Sequence, residues 1–323
     1  MNSIDRTISV APMMGCTDRH CRVLLRLISP HALLFSEMVV SGALIHGDAH
    51  HFLQHSDDEP CALQIGGSDP LDLQACARLA EQAGYQEVNL NVGCPSDRVQ
   101  VGRIGACLMA EPHLVAECLA AMQSAVRIPV TIKCRIGIDD NDSYDCFTKF
   151  VEIVSGSGCR IFYVHARKAI LKGLSPKKNR EIPPLKYDYV ERIAEDMPEI
   201  NFFINGGIRS VEETMDHLDK FNGAMLGRAP YHNPYMLAEI EQRVFGYDAM
   251  PRLDIIDRYL EYASAQVAKG NHPKHMLKHL LGLFTGCPGA RRFRRHLSEH
   301  MFDPETPISI VDDALNESGL NSR

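Results

Sequence analysis

Glu87-Val-Asn-Leu-Asn-Val-Gly-Cys-Pro-Ser96 is the stretch on which the fold turns: the short apolar run Glu87–Leu90 closes on Asn91 and on a cysteine set between Gly93 and Pro95. The run has the length of a strand, and the glycine and proline beyond it stop the strand and fix where the Cys94 sulfur points. Loop residues carried by a rigid scaffold are where chemistry concentrates. Taken alone, the same letters also suit a buried cysteine in a tight turn. Seven further strand-like runs with polar endings shift the reading toward a site.

Those runs are Ile8–Ala11, Leu33–Phe35, Ala62–Ile65, Pro129–Ile132, Ile161–Val164, Phe202–Ile204 and Ala224–Leu226. Between them the apolar period becomes helical. Asp69-Pro70 opens one helix as N-cap and first residue, and Gly84 ends it, with Leu73, Cys76, Ala77, Ala80 and Ala83 on one face. Leu114, Cys118, Met122 and Val126 form a second stripe, and Ser210 with Glu213 forms a capping box for a third helix. Eight strands with crossovers in about 240 residues match an α/β fold of the (β/α)8 TIM-barrel type. A doubly wound sheet is the alternative, but no G-x-G-x-x-G follows any strand.

Beyond the barrel, Ile255, Ile256, Tyr259, Leu260 and Ala263 share one helical stripe, and Met276, Leu277, Leu280 and Leu281 another. The chain therefore divides into a barrel over residues 1–245 and a small helical domain over 246–323. Its 323 residues are 45% hydrophobic and 23% charged, which excludes a disordered chain. No apolar run approaches the ~20 residues of a membrane span, so no membrane partner is expected. Met1-Asn-Ser-Ile-Asp-Arg-Thr7 lacks the zones of a signal peptide. Eleven cysteines are scattered without a C-x-x-C pair, which favours reduced thiols, a cytoplasmic location and no metal site.

A TIM barrel carries its active site at the C-terminal ends of its strands. Those ends read Pro12-Met13-Met14, Ser36-Glu37, Gln64, Asn91 with Cys94, Lys133 with Arg135, His165 with Arg167, Asn205-Gly206-Gly207 and Gly227-Arg228. The last two loops have the composition of a phosphate cradle: glycine N–H groups, a helix start, and a guanidinium to grip oxygens. The same glycines also suit tight corners. Lys133 and His165, with Gln64 opposite, offer donors for the polar edge of a flavin ring. A lone His165 would equally serve as a satisfied rim histidine.

Val10-Ala-Pro-Met-Met14, Leu63-Gln-Ile-Gly66, Asn89-Leu-Asn-Val-Gly-Cys-Pro-Ser96, Lys133, His165-Ala-Arg167, Asn205-Gly-Gly-Ile208 and Gly227-Arg228 together resemble the FMN-dependent tRNA-dihydrouridine synthases. The bacterial A-type subgroup is the nearer match, through Cys94–Gln100, His165–Ala169, Gly173–Pro176 and Asn179–Leu185. The resemblance implies NADPH-driven reduction of the uracil C5=C6 bond at positions 20/20a of the tRNA D-loop. It also implies that Pro12, Met13, Met14, Gln64, Lys133, His165, Asn205, Gly206, Gly207, Gly227 and Arg228 hold FMN. Cys94 would then be the proton donor and Asn91 a contact to the target uridine. An ordinary thiol is mostly protonated at neutral pH, so the sequence reading sets Cys94 across the substrate from the flavin and away from Lys133.

The net charge of −7 is unevenly spread. Arg167, Lys168, Lys172, Lys177, Lys178, Arg180 and Lys186 stand against Glu181 alone, and Arg291-Arg292-Phe293-Arg294-Arg295 forms a second cluster. Within the resemblance these are tRNA-backbone surfaces, with Lys177, Asn179, Arg180, Arg291, Arg294 and Arg295 as the expected contacts. A monomer is expected, because tRNA must cover one face. Three other readings stand: an FMN reductase of a free pyrimidine, a non-catalytic tRNA-binding protein on a barrel relic, and an aldolase using Lys133 as a Schiff base.

Overall fold

The computed structural model describes residues 4–303 and 306–321, and the side chain of Arg98 within the Cys94–Gln100 motif lies outside that description. The first residues of the stretch read for a leader, Met1–Ser3, also lie outside it. Eight parallel strands close into one barrel in sequence order: β1 (Ile8–Val10), β2 (Leu33–Val40), β3 (Cys61–Gly66), β4 (Glu87–Val92), β5 (Val130–Arg135), β6 (Ile161–His165), β7 (Asn201–Asn205) and β8 (Gly223–Leu226). Closure is made where Ile8 pairs with Ala224 and Val10 with Leu226. All eight expected strands are present; most ends shift by no more than two residues, while β5 runs three residues further, to Arg135, and β2 five, to Val40.

Helices fill the crossovers: α1 (Arg19–Ile28), α2 (Ser41–His46), α3 (Ala49–Leu53), α4 (Pro70–Gln82), α5 (Asp97–Val101), α6 (Pro112–Ala125), α7 (Tyr144–Ser155), α8 (Tyr187–Asp196), α9 (Val211–Leu218), α10 (Arg228–His232) and α11 (Met236–Phe245). The caps act as read. Asp69 Oδ1 accepts from the N–H groups of Leu71 and Asp72 at 2.9 and 3.0 Å. Ser210 Oγ accepts from Glu213 N at 3.1 Å, while the Glu213 carboxylate reaches back to Arg209 N at 2.6 Å.

Two expectations shift. The buried face of α6 is Val115, Cys118, Leu119 and Met122, because Val126 lies past the helix end and α4 and α7 both pack on this helix. Strand β2 runs on to Val40 through an irregularity between Phe35 and Met38, so Ser36 and Glu37 sit within the strand rather than at its end. There the backbone bends, Ser36 Oγ accepts from Gln64 N at 3.0 Å, and the Glu37 carboxylate takes the N–H of Gly15.

Strand residues alternate between a shell packed under the helices and a small interior core of Ala11, Leu33, Phe35, Ala62, Tyr163, Phe203 and Met225. Phe35 meets Tyr163 edge-on at 5.1 Å, and Tyr163 meets Phe203 at 5.1 Å. Each such pair contributes ~1 kcal/mol beyond burial.

After α11, the chain forms α12 (Arg252–Ala268), α13 (Lys274–Leu277), α14 (Ala290–His300) and α15 (Ile310–Ser318). These helices share one continuous apolar core with the barrel shell. The Tyr259 hydroxyl donates to His20 O at 3.1 Å, and the Tyr262 hydroxyl lies 2.8 Å from His20 Nδ1. Asp18, the N-cap of α1, meets Lys278 Nζ at 2.7 Å and His279 Nε2 at 2.9 Å. Burial alone would raise the Asp18 carboxyl, but the side-chain bonds from His279 and Lys278 hold it below the usual carboxylate range. The helical region is thereby pinned to the loop after β1, at the mouth of the barrel.

Candidate active site

Cys94 sits just past β4 with its peptide fixed from both sides. Asn91 Oδ1 accepts from Gly93 N at 3.2 Å and Cys94 N at 3.0 Å, and Cys94 O accepts from Ala106 N at 2.9 Å. Gly105 allows that last contact: its φ is +78°, and a Cβ there would stand 2.5 Å from Cys94 O. Arg135, buried at the end of β5, donates from Nε to Gly93 O at 2.8 Å and from Nη1 to Lys168 O and Asn179 O. Burial pulls its guanidinium down to about 10. Arg135 therefore braces the cysteine loop against the loop after β6, a role the sequence reading did not give it. The Cys94 side chain is half-buried, neither sealed in the core nor freely exposed.

Across the mouth, Lys133 Nζ donates to Asn205 Oδ1 at 3.0 Å, and Asn205 Nδ2 donates to Met225 O at 2.8 Å. Strands β5, β7 and β8 are tied together by this pair of bonds. Burial, with Arg135 nearby, lowers the Lys133 ammonium to about 8. Burial, then Arg135 and Lys133, hold His165 neutral well below its ordinary range. Lys133 bonds to Asn205 rather than to the thiol, yet Cys94 lies within electrostatic reach of Lys133 and Arg135. Gln64 and Asn91 face each other, with Asn91 Nδ2 donating to Gln64 Oε1 at 2.7 Å. Asn91 thus spends both ends of its amide within the protein.

The glycine loops have the geometry of a cradle. Gly206 (φ +108°) and Gly207 (φ +81°) need left-handed backbone, and a Cβ on Gly206 would run into the His165 ring. Tyr187 fixes the loop by donating to Gly206 O at 2.5 Å. At Gly227, directly before α10, the space a Cβ would take is open. Arg228 is partnered with Glu181 at 3.0 Å, so a phosphate would compete with that carboxylate for the guanidinium. In the loop after β1, Met13 N donates to Thr17 Oγ1 at 2.9 Å, Pro12 and Met13 are half-buried, and Met14 is exposed. The exposed Met14 side chain, the desolvated Lys133 amine, neutral His165 and the glycine loops together fit a flavin phosphate and ring.

The basic loop after β6 divides in two. Lys172, Lys177, Lys178 and Arg180 are exposed. Arg167 is buried against Pro183 O, and Lys168 and Lys186 pair with Asp142 at 3.2 and 3.3 Å, which removes all three from the free surface. Asn179 is the clear correction. It is fully buried, accepts from Ile170 N at 2.7 Å and donates to Ile170 O at 2.9 Å and Leu174 O at 3.1 Å. It folds the loop and has nothing left for RNA. On α14, Arg291, Arg292, Arg294 and Arg295 are all exposed around the buried Phe293. A cleft of about 610 Å³ between α9, α11 and the start of α12 is lined by mixed charge, including Arg209, Glu212, Glu239 and Arg252, and holds none of the expected site residues.

The barrel itself is shared with solved structures. An old yellow enzyme homologue from Zymomonas mobilis superposes with a TM-score of 0.52 over 74% of this chain and 88% of its own, at 12% identity. That likeness carries the fold. Barrel and mouth together define the class, a TIM-barrel protein with its candidate site at the C-terminal ends of the strands.

The chain belongs to the dihydrouridine synthase family: the profile described as Dihydrouridine synthase (Dus) matches residues 9–318. It is 55% identical over 313 residues to the tRNA-dihydrouridine(20/20a) synthase of Pseudomonas putida KT2440, covering 96% of this chain and 93% of that protein. The protein of the same name from Vibrio cholerae El Tor Inaba N16961 is 51% identical, over 95% of each chain.

Proposed function

We propose that this protein reduces the C5=C6 bond of uridine at position 20 or 20a of the tRNA D-loop, with FMN at the barrel mouth and NADPH as reductant. The observation that carries the reading is Cys94, its backbone held by Asn91 and Ala106, beside the cluster of Gln64, Lys133, His165 and Asn205.

FMN, when bound, supplies the hydride to C6 of the uracil ring. Negative charge then develops on the C4 carbonyl side of the ring, and C5 takes a proton from the Cys94 thiol. The rigid Cys94 peptide aims that thiol at one face of the base. Gln64, Lys133 and His165 hold the polar ring edge of the cofactor, and Gly206, Gly207, Gly227 and Arg228 hold its phosphate. Pro12, Met13 and Met14 would hold the ring from the loop after β1. Asn91 acts on the uridine through the Cys94 loop it anchors.

The target nucleotide must leave its stack to reach the mouth. Exposed Lys172, Lys177, Lys178 and Arg180 flank that mouth after β6, and the α14 arginines Arg291, Arg294 and Arg295 extend the positive surface into the helical domain that begins near residue 246. The protein works as a cytoplasmic monomer with tRNA across one face. Among the described residues no helix is long and apolar enough to cross a membrane.

Purified protein tests the reading directly. Heat release should yield FMN, and NADPH with unmodified tRNA transcript should yield dihydrouridine at position 20 or 20a by nucleoside mass spectrometry. Reduction of free uracil at the same rate, or dihydrouridine elsewhere in the tRNA only, would overturn it.

A further inference from the structure

Glu87, Asn89 and Asn91 stand at alternate positions of β4 and turn to the same side of the sheet, the barrel interior. They form one hydrogen-bonded column with neighbours on β3, β5 and β6. Arg6 Nε donates to Glu87 Oε2 at 2.7 Å, and Thr131 Oγ1 and the Tyr163 hydroxyl donate to Glu87 Oε1 at 2.7 and 3.2 Å. Asn89 Nδ2 donates to Thr131 Oγ1 at 2.9 Å, and Gln64 Nε2 donates to Asn89 Oδ1 at 2.9 Å. Asn91 Nδ2 then donates to Gln64 Oε1, and Asn91 Oδ1 takes the N–H groups of Gly93 and Cys94.

Every bond in this column points the same way, and both ends enforce that direction. At the floor, burial raises the Glu87 carboxyl above its ordinary range, while the Arg6 guanidinium and the hydrogen bonds from Thr131 and Tyr163 favour its carboxylate form, which accepts only. Thr131 must therefore donate downward and accept from Asn89, which leaves the Asn89 oxygen for Gln64. At the top, the N–H groups of Gly93 and Cys94 donate only, so Asn91 must offer its oxygen to them and its amide hydrogens to Gln64. An amide by itself is free to flip. Here Gln64 and Asn91 have one arrangement, and Gln64 keeps one N–H for the mouth.

We propose that Glu87, acting through Thr131 and Asn89, is a positioning residue that sets the hydrogen-bond direction of Gln64 and Asn91 and so holds the Cys94 peptide and the donor facing the cofactor. The inference rests on the proposed flavin chemistry for its consequence, and on the column alone for its geometry. Burying a carboxylate is costly, and an apolar side chain would close the barrel floor at less expense. A fixed direction is what an apolar floor does not supply. Replacing Glu87 by Gln turns the acceptor into a donor toward Thr131, because the amide oxygen must stay on Arg6. The Thr131 hydroxyl then accepts from both neighbours and its own hydrogen loses its acceptor, which strains the step to Asn89 and loosens Gln64 and Asn91 above it.

The test compares Glu87→Gln in two backgrounds, wild type and Thr131→Val, where the column is cut. Two readouts are taken on folded protein: the alkylation rate of Cys94 by peptide-resolved mass spectrometry, and the reduction potential of the bound flavin. In the wild-type background, the alkylation rate should change by about threefold or more. The ratio of affinities for reduced and oxidised flavin should change about tenfold, about 30 mV for a two-electron couple. In the Thr131→Val background the same replacement should change neither. Thr131→Ser, which keeps the hydroxyl, should match wild type where Thr131→Val does not, and this pair decides the matter if Glu87→Gln does not fold. Equal shifts in both backgrounds, or no difference between the Ser and Val variants, would overturn the proposal. A wild-type protein that binds no flavin would instead sink the functional reading, leaving the Cys94 alkylation rates to judge the column.

Discussion

The two sides of the barrel interior are built from opposite materials. From β6 round through β8 to β2, the inward positions below the mouth include Tyr163, Phe203, Met225, Ala11, Leu33 and Phe35, a largely apolar core held by shape that Ala62 of β3 joins. From β3 to β5 they include Gln64, Glu87, Asn89, Asn91 and Thr131, joined by hydrogen bonds of fixed direction, with Lys133 beside them bonded to Asn205 on β7. Tyr163 belongs to both, with its ring in the apolar core and its hydroxyl on Glu87. An apolar side resists compression but does not specify where a proton sits. A polar column specifies that and depends on the apolar side for its rigidity.

Breaking the apolar side should cost stability first. Phe35→Ala removes a fully buried ring from the smaller core and should lower unfolding free energy by ~3–5 kcal/mol in urea titration. Activity of the folded fraction should change far less than stability does. Gly206→Ala strikes the border between the sides: it forces a side chain into left-handed backbone against His165, a strain of ~1–3 kcal/mol. Flavin affinity should fall about tenfold or more for that strain, as read by equilibrium dialysis.

The lysine on the polar side carries a pH signature. Its folded value, about 8, lies below the ordinary 10.5, so between these values the unfolded chain binds more protons than the folded one. The cost of burying the Lys133 ammonium is fully present below pH 8 and is relieved as pH rises toward 10.5. Lys133→Met should therefore stabilise the flavin-free protein at pH 7 and flatten its stability over that interval, measured by denaturant titration at each pH. The same variant should weaken flavin binding.

The smallest effects belong to the surface. Lys177→Ala should reduce the salt slope of tRNA binding by ~0.7–0.9 of a unit, with little change in stability. Asn179→Ala, two residues away, should do the reverse: a loss of ~1–3 kcal/mol from the orphaned groups of Ile170 and Leu174, seen in thermal unfolding, with an unaltered salt slope.

Much of this was legible in the sequence. The eight runs of apolar residues and their polar endings mark the barrel, because buried strands demand continuous hydrophobicity and the mouth demands donors. What escaped depends on partners distant in the chain. Asn179 reads as an RNA contact in a basic stretch, yet its amide closes its own loop. Lys168 and Lys186 count as free surface charge until Asp142, brought in from the loop before α7, pairs with both and offsets one of the two charges. Glu37 was placed at a strand end, whereas the bend in β2 keeps it within the strand. The polar column did leave a trace: Glu87, Asn89 and Asn91 alternate at period two in an otherwise apolar strand, the signature of one polar inward face.

The most direct measurement is nucleoside mass spectrometry of tRNA from a strain lacking this gene and any redundant synthase, complemented with wild type or Cys94→Ala. The account predicts that wild type restores dihydrouridine at position 20 or 20a, while the Cys94 variant, folded and flavin-loaded, restores little or none. Full restoration by Cys94→Ala would contradict the assignment of the proton donor, and dihydrouridine unchanged by the deletion itself would contradict the function.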